Sequence, residues 1–161
     1  MELVQVVINP KITSGFTTLE YDQQTSFTVQ RSLLIAGCSS PSNEPPKFML
    51  GNFRDDYDIE YEISKDLWFQ KPNAKFHVEE WSREEQYLIA RNDSLNPSDS
   101  GLYTRFDWME FENMLPYEWG FCMTAYRAET IEDARNVSPP DRENPKTGCN
   151  GFPFSRMRVA G

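Results

Sequence analysis

The stretch Tyr57-Asp58-Ile59-Glu60-Tyr61-Glu62-Ile63 alternates apolar and acidic residues without a fault. Successive side chains of a strand point to opposite sides, so Tyr57, Ile59, Tyr61 and Ile63 share one face and Asp58, Glu60 and Glu62 the other. A helix would scatter the same apolar residues around its surface. The period therefore predicts a half-buried antiparallel strand across 57–63, with three carboxylates looking outward.

Strands of the same kind are expected along much of the chain. Leu3–Ile8, Phe16–Tyr21 and Thr25–Ala36 read as the first three, followed by a Pro-rich loop from Gly37 to Lys47 and a short apolar element Phe48–Leu50 closed by Gly51-Asn52. Lys65–Phe69 reads as a strand end or a single turn, and Pro72-Asn73 breaks the chain. Ala74–Trp81 alternates again, and Ser82–Glu85 turns into a strand at Tyr87–Ala90. Asn92–Ser100 is a polar loop. Leu102–Trp108 and Glu118–Arg127 are aromatic strands, and 129–136, with acidic residues in its first turn and Arg135 in its last, is the one helix. The prolines of 137–151 predict a mobile loop, and Phe152–Val159 returns as a final strand, placed at a sheet edge by Pro153.

About ten short strands at roughly 8–15 residue spacing with one short helix predict an all-β or β-rich α+β fold: a single antiparallel β-sandwich or barrel over residues 1–161. Composition agrees, since aromatic residues make up 14% of the chain and include four Trp, which favours sheets over leucine-rich bundles.

Two short stretches resemble immunoglobulin variable domains. Leu67-Trp68-Phe69-Gln70-Lys71-Pro72 is similar to their core-tryptophan strand, and Asp99-Ser100-Gly101-Leu102-Tyr103 to their tyrosine corner. Arg105 stands where that family places its second cysteine, and Cys38 lies far upstream of Trp68. The resemblance implies sandwich-type architecture and carries no function.

A formal charge of −9 disfavours direct binding to a phosphate backbone, whose affinity comes from Lys and Arg displacing counterions. Met1–Ile8 has an acidic second residue and no basic flank, so it reads as a strand rather than a signal peptide. No stretch is long and apolar enough for a transmembrane helix. Three widely spaced cysteines, Cys38, Cys122 and Cys149, suit reduced thiols in the cytoplasm. Secretion by a route without a cleaved peptide stays open, as does pairing of Cys122 with Cys149.

Catalytic signatures are missing. His77 is the only histidine, which rules out a multi-histidine metal centre within one chain, and there is no nucleophile elbow, dinucleotide fingerprint or P-loop. No cofactor or metal is expected. Two clusters stand out as candidate binding residues. The first is the row Asp58, Glu60 and Glu62, spaced at about 6.6 Å steps along a strand. The second is Asp107, Trp108, Glu110 and Trp119, where carboxylates and indoles interleave as on carbohydrate-binding surfaces.

These features point to a non-enzymatic recognition protein acting through an acidic and aromatic surface. The expected ligand is a basic protein partner, a carbohydrate or a lipid. Three alternatives use the same residues differently. A small barrel enzyme of isomerase or cyclase type would use Asp, Glu or Tyr as acid and base, and would need a buried carboxyl in an apolar pocket. An inhibitor imitating nucleic acid would gather its carboxylates on one side. A viral or structural subunit would assemble into a ring or shell.

Overall fold

The computed structural model describes residues 43–161, so the strands expected at Leu3–Ile8, Phe16–Tyr21 and Thr25–Ala36, and Cys38 with them, lie outside the described residues. Eight strands follow one another: β1 (Gly51–Asp55), β2 (Glu60–Ile63), β3 (Leu67–Gln70), β4 (Ala74–Ser82), β5 (Tyr87–Asn92), β6 (Tyr103–Glu110), β7 (Trp119–Ala128) and β8 (Ser155–Val159). Each pairs antiparallel with the next, and β8 returns to β1 through Phe53 opposite Val159 and Asp55 opposite Met157, which closes the sheet into a barrel. The expected β architecture is thus realised as a closed barrel and not as the two-sheet sandwich that the immunoglobulin-like stretches implied.

The interior is filled by rings. Trp68 stacks on Phe106 with centroids 4.4 Å apart and meets Phe121 edge-on at 4.9 Å, while Phe53 meets Trp119 edge-on at 5.3 Å. Offset and edge-on contacts of this kind let a small barrel be packed by a few large side chains. A 3₁₀ turn at Lys47–Met49 brings Phe48 against Trp119 and buries Met49 in the same core. In β4 the alternation changes parity: Val78 pairs with Ala90 but Glu80 with Ile89, so Glu79 is an extra residue. This bulge is why both Phe76 and Trp81 reach the core from one strand.

A second, smaller layer lies outside the barrel. α1 (Ile131–Arg135) is capped by Thr130, whose hydroxyl accepts from the Asp133 amide while the Asp133 carboxylate accepts from the Thr130 amide. Its Ala134 packs with Tyr87 and Ile89, with Tyr103, Ala128 and Ile131 at the margin. β5 and β6 are therefore covered on both faces, which a period-2 reading of either strand does not disclose.

Several boundaries differ from those expected. The organising strand is only Glu60–Ile63: Asp58 has φ 63°, and the Asp55 carboxylate accepts from the amides of Tyr57 and Ile59, folding 56–59 into the β1–β2 turn. Tyr57 consequently leaves the core face and is 67% exposed. Gly51-Asn52 open β1 instead of closing the preceding element. Phe152–Val159 is not an edge strand. Its paired part, Ser155–Val159, lies between β7 and β1, and Pro153 precedes it. Cys122 and Cys149 form a disulfide, so the expectation of reduced thiols fails for this pair.

Candidate functional site

Glu60 and Glu62 lie on the outer face of β2 as alternation predicts, Asp58 is delivered instead by the β1–β2 turn, and none of the three stands alone. Glu60 accepts from Arg54 at 2.6 Å, Asp58 from Arg158 at 3.2 Å, Glu62 faces Lys71 at 3.6 Å, and Asp56 accepts from Arg156 at 2.8 Å. The cations come from β1, β8 and the β3–β4 turn, so acids and bases alternate across this face. Each exposed pair stabilises the fold by less than about 1 kcal/mol. Together they offset the charge of the row locally.

The second cluster is divided by the barrel wall. Trp108 and Trp119 are 2% and 1% exposed and belong to the core, with no face toward solvent. Glu110, at the end of β6, is exposed. Asp107 points outward from β6, as alternation requires, yet is fully buried beneath α1 and the chain that follows it. It holds Arg105 in a two-pronged pair at 2.9 Å and 2.9 Å, accepts from the Thr124 hydroxyl, and accepts from Arg142 at 3.1 Å. Arg105 also donates to the carbonyls of Arg135 and Val137, satisfying the end of α1, and lies 4.1 Å above the Tyr87 ring. Arg142 donates to the carbonyls of Trp108, Glu85 and Gln86. Asp107 is thus the centre of a saturated ionic cluster that fastens the outer layer to the barrel.

The other buried acid is equally engaged. Asp55 accepts from two amides and, at 2.9 Å, from the Tyr61 hydroxyl. Burial first, and then the Asp55 carboxylate, push the Tyr61 phenol well above its ordinary range. Neither aspartate lines an apolar concavity with an open coordination site. His77 is exposed and pairs with Asp93 at 2.7 Å. Among the described residues no group of three or more His, Cys, Asp or Glu side chains could hold a metal ion.

What does gather at one place is aromatic. Pairing between β7 and β8 stops at Phe121 opposite Ser155, so β7 runs on from Cys122 without that neighbour. A concavity of 410 Å³ opens there, with Phe121 and Met123 among its walls. Tyr57, delivered by the β1–β2 turn, stands at its rim with Tyr126 and Phe152. These three are 67%, 52% and 72% exposed, and they are the exposed aromatic rings among the described residues. All other described Phe, Tyr and Trp rings are buried or half-buried.

Phe152 is held outward by a small, braced hairpin. Asn150 and Gly151 have φ 53° and 88°, the left-handed pair that a tight two-residue turn requires and that Asn-Gly adopts readily. Cys149 and Phe152 exchange backbone hydrogen bonds across it at 3.0 Å and 2.8 Å. The Cys122–Cys149 disulfide then ties the hairpin to β7, and the Asn150 amide donates to the Met123 carbonyl.

None of the seven residues singled out from sequence lines this mouth. Alternation alone places Tyr57 on the core face and Phe152 in a strand; the β1–β2 turn and the Cys149–Phe152 hairpin bring both to the mouth instead. The signal was present: Asn150-Gly151 between Cys149 and Phe152 is a hairpin turn signature. Compared with known proteins, the chain matches no family model, no curated protein and no solved structure.

Proposed function

We propose that the protein is a non-enzymatic recognition module that takes its ligand in the aromatic mouth between the β1–β2 turn, β7 and the Cys149–Phe152 hairpin. One observation carries this reading: the three exposed aromatic rings of the described barrel all border the same concavity. Large rings left in water lose the burial that stabilises the other rings, and rings preset in orientation are the side chains that most often anchor recognition. The braced hairpin supports the same reading, because a preordered contact surface loses less freedom on binding.

The acidic row enters this proposal only as a neighbour. Its cross-strand cations offset its charge locally, which weakens the case for the row itself drawing in a basic protein. Asp55 and Asp107, the two buried carboxylates among the described residues, are each engaged by several donors, which argues against acid–base roles for these two. The disulfide favours an oxidising compartment over the cytoplasm for the mature protein.

The test compares immobilised wild-type protein with a Tyr126→Ser/Phe152→Ser variant in a native extract, with circular dichroism checking that both are folded. Retention of a ligand by the wild type and its loss by the variant supports the reading. Identical retention by both, or no retention by either, rejects it.

A further inference from the structure

We infer that the ligand of the aromatic mouth is a neutral carbohydrate; this rests on the mouth being the binding surface. The lining decides the chemistry. A quarter of the chain is Asp, Glu, Lys or Arg, yet no charged residue lines this concavity among the described residues. The neighbouring concavity at Phe111 and Phe154, by contrast, contains Asp56, Lys146 and Arg156. An anionic ligand such as a phosphate or a sulfated sugar would need Arg or Lys at hydrogen-bonding range, which the mouth does not offer. A quaternary ammonium can sit on ring faces alone, but it would leave the hydroxyls and the amide around those rings without a partner.

It offers two kinds of group in alternation. Tyr57, Tyr126 and Phe152 supply flat apolar faces, and the hydroxyls of Tyr57, Tyr126 and Ser155 with the Asn150 amide supply uncharged donors and acceptors. A pyranose is the complementary object, with axial C–H bonds presenting an apolar face and hydroxyls around its edge. The volume of 410 Å³ lies at the small-ligand end of the range for binding clefts and suits a few sugar rings rather than a folded partner. The open side of the mouth leaves room for a chain to continue past it. A proline-rich peptide also docks on aromatic grooves, and the titration below separates it from a sugar.

Isothermal titration of the intact protein with defined oligosaccharides tests the inference. The panel contains hexasaccharides of neutral glucose, mannose, xylose and N-acetylglucosamine units, a heparin-derived hexasaccharide, an oligogalacturonate and a proline-rich peptide. The expected result is saturable binding of at least one neutral oligosaccharide. It should weaken about tenfold or more in Phe152→Ala and in Tyr126→Ala, and change little with ionic strength. A Tyr126→Phe variant keeps the ring and isolates the hydroxyl, so a loss there smaller than in Tyr126→Ala marks stacking. Binding of only the charged sugars or the peptide overturns the carbohydrate assignment while leaving the mouth as a binding surface. Failure of the whole panel, with extract capture still dependent on Tyr126 and Phe152, overturns the assignment alone. Failure of both overturns the mouth as well.

Discussion

Acidic side chains that look alike in the sequence have unlike energetic weight. Asp107 and Glu62 both lie on the outward side of alternating strands, yet one is fully buried among two guanidinium groups and the other is half exposed beside a single lysine. Asp107→Ala leaves the buried Arg105 and the half-buried Arg142 without their carboxylate, and is expected to cost about 3–5 kcal/mol in urea unfolding. Glu62→Gln should stay within about 0.5 kcal/mol. Equal losses would show that the cluster under α1 carries no special weight. Tyr61 gives a prediction in pH. Its folded pKa is raised above the unfolded value of about 10, so its stabilising effect is present below that pH and is lost as pH rises beyond it. Tyrosinate absorbance should therefore contain a component that appears only as the barrel unfolds in alkali, and Tyr61→Phe should diminish it; Tyr87, whose phenol is also pushed up by burial and by Glu80, supplies the remainder. A Tyr61 that ionises while the barrel is still folded would contradict the burial of its hydroxyl against Asp55.

At the scale of elements, α1 and the hairpin are both short and both depend on fastening rather than on length. A helix of five residues has little stability of its own. It is held by its capping box, by the Glu80–Arg135 pair at 2.5 Å and by Arg105 at its C-terminal carbonyls. The hydrogen bond from Arg135 holds the Glu80 carboxyl below the usual range, so this tether is present above the unfolded pKa and weakens as pH falls through the folded one. Thr130→Ala should cost about 1 kcal/mol. For the hairpin, Cys122→Ser/Cys149→Ser removes a cross-link spanning 27 residues and should cost about 3.5 kcal/mol on the chain-entropy account. The same variant should weaken ligand binding at the mouth while the core tryptophans stay buried. If it unfolds the barrel outright, the disulfide serves the core and not the hairpin. The helix was legible in the sequence because its cap and terminal charges are local signals. So were β4 and β5, where alternation and the Ser82–Glu85 turn stand side by side. The mouth was not, because it is made by where β8 begins relative to β7, and nothing local to either strand carries that offset.

At the scale of the whole molecule, the same limit explains what alternation did and did not reveal. A period of two says which residues share a face, and it correctly separated Glu60 and Glu62 from Tyr61 and Ile63. It is silent on what covers a face. Arg105 and Asp107 read as solvent-facing until α1 and Arg142 are laid over them, and Trp108 and Trp119 read as ligand platforms until the barrel closes around them. Closure is itself the nonlocal fact: β1 and β8 are separated by most of the described chain and meet only in the finished sheet. The barrel should therefore fail as a unit when closure is denied. Removing residues 155–161 exposes the edges of β1 and β7, takes away the fully buried Met157, and uncovers Phe53 and Trp119. An open sheet with such edges invites pairing with other copies and leaves the ring cluster wet on one side. All four tryptophans are at most 3% exposed in the intact barrel, so their emission reports the event directly. The intact protein should show blue emission that shifts red in a single urea transition; the truncated one should emit red without denaturant and show no cooperative transition. A truncated protein with blue emission and a sharp transition would mean that the seven remaining strands close without β8, and that the ring cluster and not the β1–β8 seam holds the fold.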